Sequence, residues 1–179
     1  MNDELTARLV RQAKQATAEE GESDGRPESV LSLTAAGLSV EAVAHELDCS
    51  VAAAQAALDA ATARRPRGLR REERFPFELH VLLAAKLRDH PELRDLARAN
   101  IGRMRERPRA PMAEAWVDRW EEILDMPADA AEHEMLRGDE LGSDLRQMSP
   151  FAGALDQDER EIAMKKAQLL AGLSASGMS

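Results

Sequence analysis

Tyrosine is missing from this sequence, and two Trp and three Phe supply all of its aromatic content. Long runs of β-branched residues are missing as well, so the apolar 44% of the chain rests mainly on Ala and Leu. Such a composition offers little to pack a pleated sheet and suits helices. Cysteine occurs once: Cys49 alone can neither close an internal disulfide nor build a metal cluster, and a reducing compartment is the default. No apolar stretch has the length of a membrane span, and the N-terminal MNDELTARLVRQAKQ is amphipathic without a signal peptide's apolar centre. The expectation is a cytoplasmic protein with no membrane association.

Catalytic motifs are the next gap. His45, His80, His90 and His133 are scattered, and HEMLRGDE lacks the second His that a zinc-binding helix needs. No glycine loop of the phosphate-cradling kind occurs, and Cys49 sits in a turn with no adjacent base. His80, on an apolar helix, reads as a packed residue rather than a ligand. Neither an enzyme nor a cofactor or metal site is expected.

What the sequence does hold is segregated charge. The net charge of −9 hides a basic middle: residues 63–109 carry 14 Lys/Arg against 7 Asp/Glu. The flanks are acidic, with 4 against 11 in residues 1–62 and 6 against 15 in residues 110–179. Separate surfaces of opposite sign point to separate partners.

Along the chain, residues 1–18 contain an amphipathic helix with Leu5, Leu9 and Ala16 on one side, and residues 19–28 read as a linker. Residues 29–63 follow the rhythm of a helix-turn-helix. Ser39 can cap a first helix whose inner face is Val40, Val43, Ala44 and Leu47, and Asp48-Cys49 makes the turn. Ser50 can then cap a second helix with Val51, Ala54 and Leu58 inward. That second helix turns Ser50, Ala52, Ala53, Gln55, Ala56 and Asp59 outward. Only Gln55 is suited to bidentate adenine readout, and Asp59 opposes phosphate. Affinity for DNA would therefore come from the basic connector at 64–74, through Arg64, Arg65, Arg67, Arg70 and Arg71 together with Arg74, lying along the backbone or in a minor groove. A solvated linker is the plain alternative.

Residues 75–172 read as a helical domain punctuated by Pro and Gly, with 173–179 as a frayed tail. Pro76 can occupy the first turn of a helix bearing Leu79, Leu83 and Leu87, and a second stripe runs through Leu93, Leu96, Ala97, Ile101 and Met104. RPRAP at 107–111 breaks the chain before a helix with Trp116, Trp120, Ile123 and Leu124. Asp156 and Glu159 form a capping box for a last helix running to about Gly172. LRQMSPFAGAL, residues 145–155, has two readings. Pro150, Phe151 and Gly153 can stop, anchor and turn a loop, with Arg146 and Gln147 capping carbonyls. Alternatively Arg146, Gln147, Ser149, Pro150 and Phe151 form a partner-binding surface.

The stretch from Leu79-His80 through Lys86-Leu87, the two-Trp helix and Arg146-Gln147-x-Ser149-Pro150-Phe151-Ala152-Gly153-x-Leu155 resembles a bacterial helical domain that follows helix-turn-helix modules in short proteins. Those proteins are similar to antitoxins of toxin–antitoxin loci, commonly beside nucleotidyltransferase-like or nuclease-like toxins. The resemblance covers roughly residues 75–160. It implies an all-α protein, an N-terminal helix-turn-helix module followed by a multi-helix C-terminal domain, acting as antitoxin and DNA-binding autoregulator. The implied partners are a cognate toxin and promoter DNA, with room for a homo-oligomer. A non-enzymatic adaptor with a degenerate helix-turn-helix is the alternative.

Overall fold

The computed structural model describes residues 3–19, 26–106 and 111–176, and among them the chain forms helices and no strand. The elements are α1 (Asp3–Glu19), α2 (Arg26–Ala35), α3 (Val40–Glu46), α4 (Val51–Ala63), α5 (Arg71–Asp89), α6 (Leu93–Arg105), α7 (Pro111–Asp125), α8 (Ala128–Met135), α9 (Glu140–Gln147) and α10 (Gln157–Ser176). No helix among the described residues is long and apolar enough to cross a membrane. Two compact units divide the chain: Met1–Pro66 with Met164–Ser179, and Arg67–Ala163. Residues 164–176 of α10 thus belong with the N-terminal helices rather than with the domain that the sequence extends to 172.

In the first unit α2 packs on α1 and α4, and α3 packs on α4. Its core holds Val30, Leu31, Leu33, Val43, Leu58, Ala61 and, from α10, Leu170. Local chemistry sets the path. Gly37, at φ 106°, ends α2, and the Leu38 N–H reaches back to the Leu33 carbonyl at 3.2 Å. The Ser39 hydroxyl then accepts the Ala42 N–H and caps α3. Asp48 closes α3 in the left-handed region at φ 50°, one of the few residue types that tolerates it, and the Cys49 N–H returns to the Ala44 carbonyl at 3.0 Å. Ser50 caps α4 by accepting the Ala53 N–H at 3.1 Å. The buried stripe of α4 is Ala54, Ala57, Leu58 and Ala61. Val51, which the spacing places inward, is 46% exposed at the first position of α4, ahead of that stripe.

Beneath this packing lies a charged cluster. Glu28 on α2 takes two bonds from the Arg65 guanidinium, one at 2.9 Å, and one from Lys166 on α10 at 3.3 Å. Lys166 is 1% exposed and Arg65 8%. Burial raises the Glu28 pKa, but the Arg65 hydrogen bond and the Lys166 and Arg65 charges outweigh it and hold the carboxyl at about 2.

In the second unit α6 packs on α7, and α5 on α8 and α9. Trp120, Ile101, Val117, Ile123 and Met135 are wholly buried at its centre. Helix α5 begins at Arg71, inside the stretch that reads as a connector. The cause is local: the Arg70 N–H donates to Glu73 Oε2 at 2.7 Å, half of a capping box. Pro76 consequently lies inside α5 rather than in its first turn, and only residues 64–70 connect α4 to α5. The Asp156–Glu159 box forms in both directions, at 2.7 and 2.8 Å. Helix α10 runs past Gly172 to Ser176. Of the linker read at 19–28, Arg26–Glu28 belong to α2 and residues 20–25 lie outside the described residues; so do 107–110 of the RPRAP break and 177–179 of the tail.

This packing makes two predictions about stability. Trp120→Ala removes a wholly buried indole and should cost about 3–5 kcal/mol; a denaturant melt unchanged from wild type would contradict it. Glu28→Ala leaves buried cations undercompensated and should cost about 3–5 kcal/mol. Because its folded pKa is depressed, Glu28 stabilises fully above its ordinary value of 4.5 and loses that contribution as pH falls toward about 2. Acid unfolding curves of wild type and variant should converge over that window.

Candidate functional site

Each candidate region is built inside its own unit. On α4 and its cap the exposed residues are Ser50, Val51, Ala52, Gln55, Ala56, Asp59, Ala60 and Ala63. The Ser50 hydroxyl is engaged as a cap, and Gln55 Nε2 donates to Asp59 Oδ1 at 2.9 Å. The one side chain suited to adenine thus rests on a carboxylate. No Lys or Arg lies within α4.

The arginines after α4 fall into different environments. Arg64 is exposed at the C-cap of α4. Arg65, expected to meet phosphate, is buried on Glu28 and on the Ala61 carbonyl at 3.0 Å, so reaching DNA would mean dismantling the ion cluster. In the second unit Arg71 is exposed and Arg67 stands at its start. Arg70 is also exposed but shares its charge with Glu73 at 2.8 Å and Glu72 at 3.7 Å. The basic row is narrower than the sequence suggests.

The 146–155 segment is organised around Trp120. The Trp120 indole N–H donates to the Leu145 carbonyl at 3.0 Å. Phe151 meets the indole edge-on, with centroids 5.6 Å apart, and His80 stacks on it at 5.8 Å. Arg146, only 3% exposed, donates to the Met135 and Arg137 carbonyls at 3.1 and 2.7 Å, tying down the end of α8. Its guanidinium lies 5.1 Å from the centre of the Phe77 ring, and burial lowers its pKa. Asn100 on α6 donates to the Pro150 and Ala152 carbonyls at 2.7 and 3.0 Å. Lys86 holds the Ala154 carbonyl at 3.1 Å and Glu159 at 2.7 Å. Gly153, at φ 85°, completes the turn.

Of the five side chains singled out for a partner, Arg146, Pro150 and Phe151 are therefore buried, Ser149 is half-buried and only Gln147 is exposed. The structure brings them together as a brace. Asn100 joins them although helical spacing gives it no role; a polar residue on the Leu96–Ala97–Ile101–Met104 stripe is the signal that points to it.

Ser149 and His80 invite a catalytic reading. His80 Nδ1–H donates to the Pro76 carbonyl at 2.7 Å, which leaves Nε2 to accept from the Ser149 hydroxyl at 3.0 Å. Beside them a cleft of about 360 Å³ is lined by Asn100, Arg103, Met104 and Gln147. Burial, however, pushes the His80 pKa to about 4, against a smaller opposing effect of the Pro76 hydrogen bond, and the Arg146 charge lowers it further. The partner at Nδ1 is a carbonyl, with no carboxylate to stabilise an imidazolium. The pair is a poor general base near neutrality and a good structural hydrogen bond. No family model, curated protein or solved structure matches the chain.

The buried imidazole makes stability depend on pH. With the folded pKa lowered from 6.5 to about 4, the unfolded chain binds the proton more readily between those values. The contribution is complete above pH 6.5 and falls by about 3 kcal/mol on acidification to pH 4. Unfolding free energies measured across this window should show a steeper acid loss in wild type than in His80→Gln; parallel curves would refute the assignment.

Proposed function

We propose that the chain is a non-catalytic antitoxin and DNA-binding autoregulator, whose second unit sequesters a cognate toxin and whose first unit contacts promoter DNA. The observation that carries the reading is the capped α3–turn–α4 segment. Ser39 and Ser50 start its helices, Asp48 turns the chain between them, and α4 leaves one long face open to solvent. That is helix-turn-helix grammar. The resemblance of residues 75–160 to the helical domain of antitoxins supports the other half, as does the acidity of residues 110–163. An acidic surface suits a basic partner that handles nucleic acid or nucleotides.

A second reading, an adaptor with a degenerate helix-turn-helix, draws on the Gln55–Asp59 hydrogen bond and on the burial of Arg65. Both withdraw groups that DNA would need. The two readings differ in the behaviour of Arg64, exposed at the C-cap of α4 in the first unit. Under the autoregulator reading, Arg64→Ala should weaken promoter binding on all sequences alike. The salt slope should fall by about one unit for each phosphate no longer neutralised. A gel-shift titration in which the full chain fails to bind promoter DNA at low salt would leave the adaptor. Co-expression with the product of the adjacent gene tests the sequestering role: the full chain should relieve growth inhibition, and failure to do so would remove the antitoxin assignment for that neighbour.

A further inference from the structure

The brace around Trp120 leaves a different part of the second unit available to a protein partner. Among the described residues this unit exposes two large apolar side chains, Met112 at 67% and Leu141 at 53%. They are not scattered. Both line one cleft of about 320 Å³ between α7 and α9, together with Trp116 and Leu145. Trp116 is half-buried, and its indole N–H, unlike that of Trp120, has no hydrogen-bond partner among the described residues. An indole with a free donor, flanked by an adaptable Met and a Leu, is the composition of a binding hot spot.

The two cations lining the cleft, Arg119 and Arg137, are paired with carboxylates at and beside it. Arg119 bonds Glu122 at 2.5 Å and Glu134 at 2.6 Å, and Arg137 bonds Asp139 at 2.5 Å. Beside the lining residues Ala115 and Leu141 stand two more carboxylates, Glu114 and Glu140, both exposed, so five carboxylates accompany two cations at and beside the cleft. The walls are helices, and no sheet edge exists among the described residues to pair with an extended peptide. An occupant must bring its backbone already satisfied, and a helix does so.

We propose that the Met112–Trp116–Leu141 cleft receives the apolar face of an amphipathic α-helix from a partner protein, a helix whose flanks carry Lys or Arg. The proposal rests on the sequestering role assigned above to the second unit, and it locates that role on α7 and α9 instead of on the 146–151 brace. The Trp116 N–H supplies a hydrogen bond to an acceptor on the incoming helix, and the carboxylate excess steers its basic flanks.

The test uses the full chain and a synthetic peptide of about 18 residues, five helical turns, with Leu on one face and Lys on the other. The controls are the same peptide with Glu replacing Lys and a scrambled Leu/Lys peptide. Calorimetric titration should show binding of the Leu/Lys helix, with a blue shift of Trp emission, and much weaker binding of both controls. Met112→Asp with Leu141→Asp adds negative charge while removing apolar surface, and both positions are exposed enough for the fold to survive, which a thermal melt checks. That variant should lose at least tenfold in affinity. Equal or tighter binding by the variant would mean charge alone is at work and would overturn the proposal, as would no binding by wild type. A wild-type dimer that becomes monomeric in the variant would also overturn it, by assigning the cleft to a second copy of the chain. Peptide binding at the cleft without growth rescue sustains the site and removes the antitoxin reading. Growth rescue that survives the double variant places the neutralising contacts elsewhere and overturns the cleft's part in sequestration.

Discussion

The second unit depends on one side chain. Trp120 has no exposed surface, and each of its edges is claimed: the N–H by the Leu145 carbonyl, one face by His80, an edge by Phe151. Through these contacts a residue of α7 fixes α9, α5 and the loop before α10. The buried polar groups nearby complete the arrangement. Arg146 and Asn100, both buried, and the half-buried Lys86 each direct at least one donor to a backbone carbonyl that a turn leaves open. Each such donor would be costly to leave unmade in the interior, so removing any one unsettles its neighbours.

This constraint decides which residues can meet a partner. A sequence motif as specific as Arg146-Gln147-x-Ser149-Pro150-Phe151 invites a binding role, yet most of it is absorbed in holding α8, α9 and the loop together. The later turns of α7 bury Val117, Trp120 and Leu124, while Met112 and Trp116, nearer its N-terminus, line the opening beside Leu141. Scaffold and surface are thus consecutive turns of one helix. In the first unit the ion cluster does comparable work, since Arg65 stabilises α2, α4 and the later part of α10 and is withdrawn from any phosphate.

Local signals are readable from the sequence because their chemistry is local. Ser39, Ser50 and the Asp156–Glu159 box mark helix starts within three residues, and each forms as the spacing implies. Long-range events are not readable in this way. Arg65 finds Glu28 37 positions away, and Lys166 finds it from 138, a separation that no periodicity carries. The early start of α5 hides in a run of charges, where Glu73 reads as one more solvated residue rather than as a cap. Trp116 and Trp120 share a stripe by spacing, and only their position along α7 separates a half-buried ring from a wholly buried one.

The central claim is that Trp120 is the closed centre of the second unit while Trp116 lines the open cleft beside Leu141. Acrylamide quenching of Trp fluorescence in Trp116→Phe, which leaves Trp120 as sole reporter, tests this most directly. The account predicts blue-shifted emission that resists quenching, and a readily quenched component in wild type that the substitution removes. Efficient quenching of Trp120 in the folded variant would contradict it.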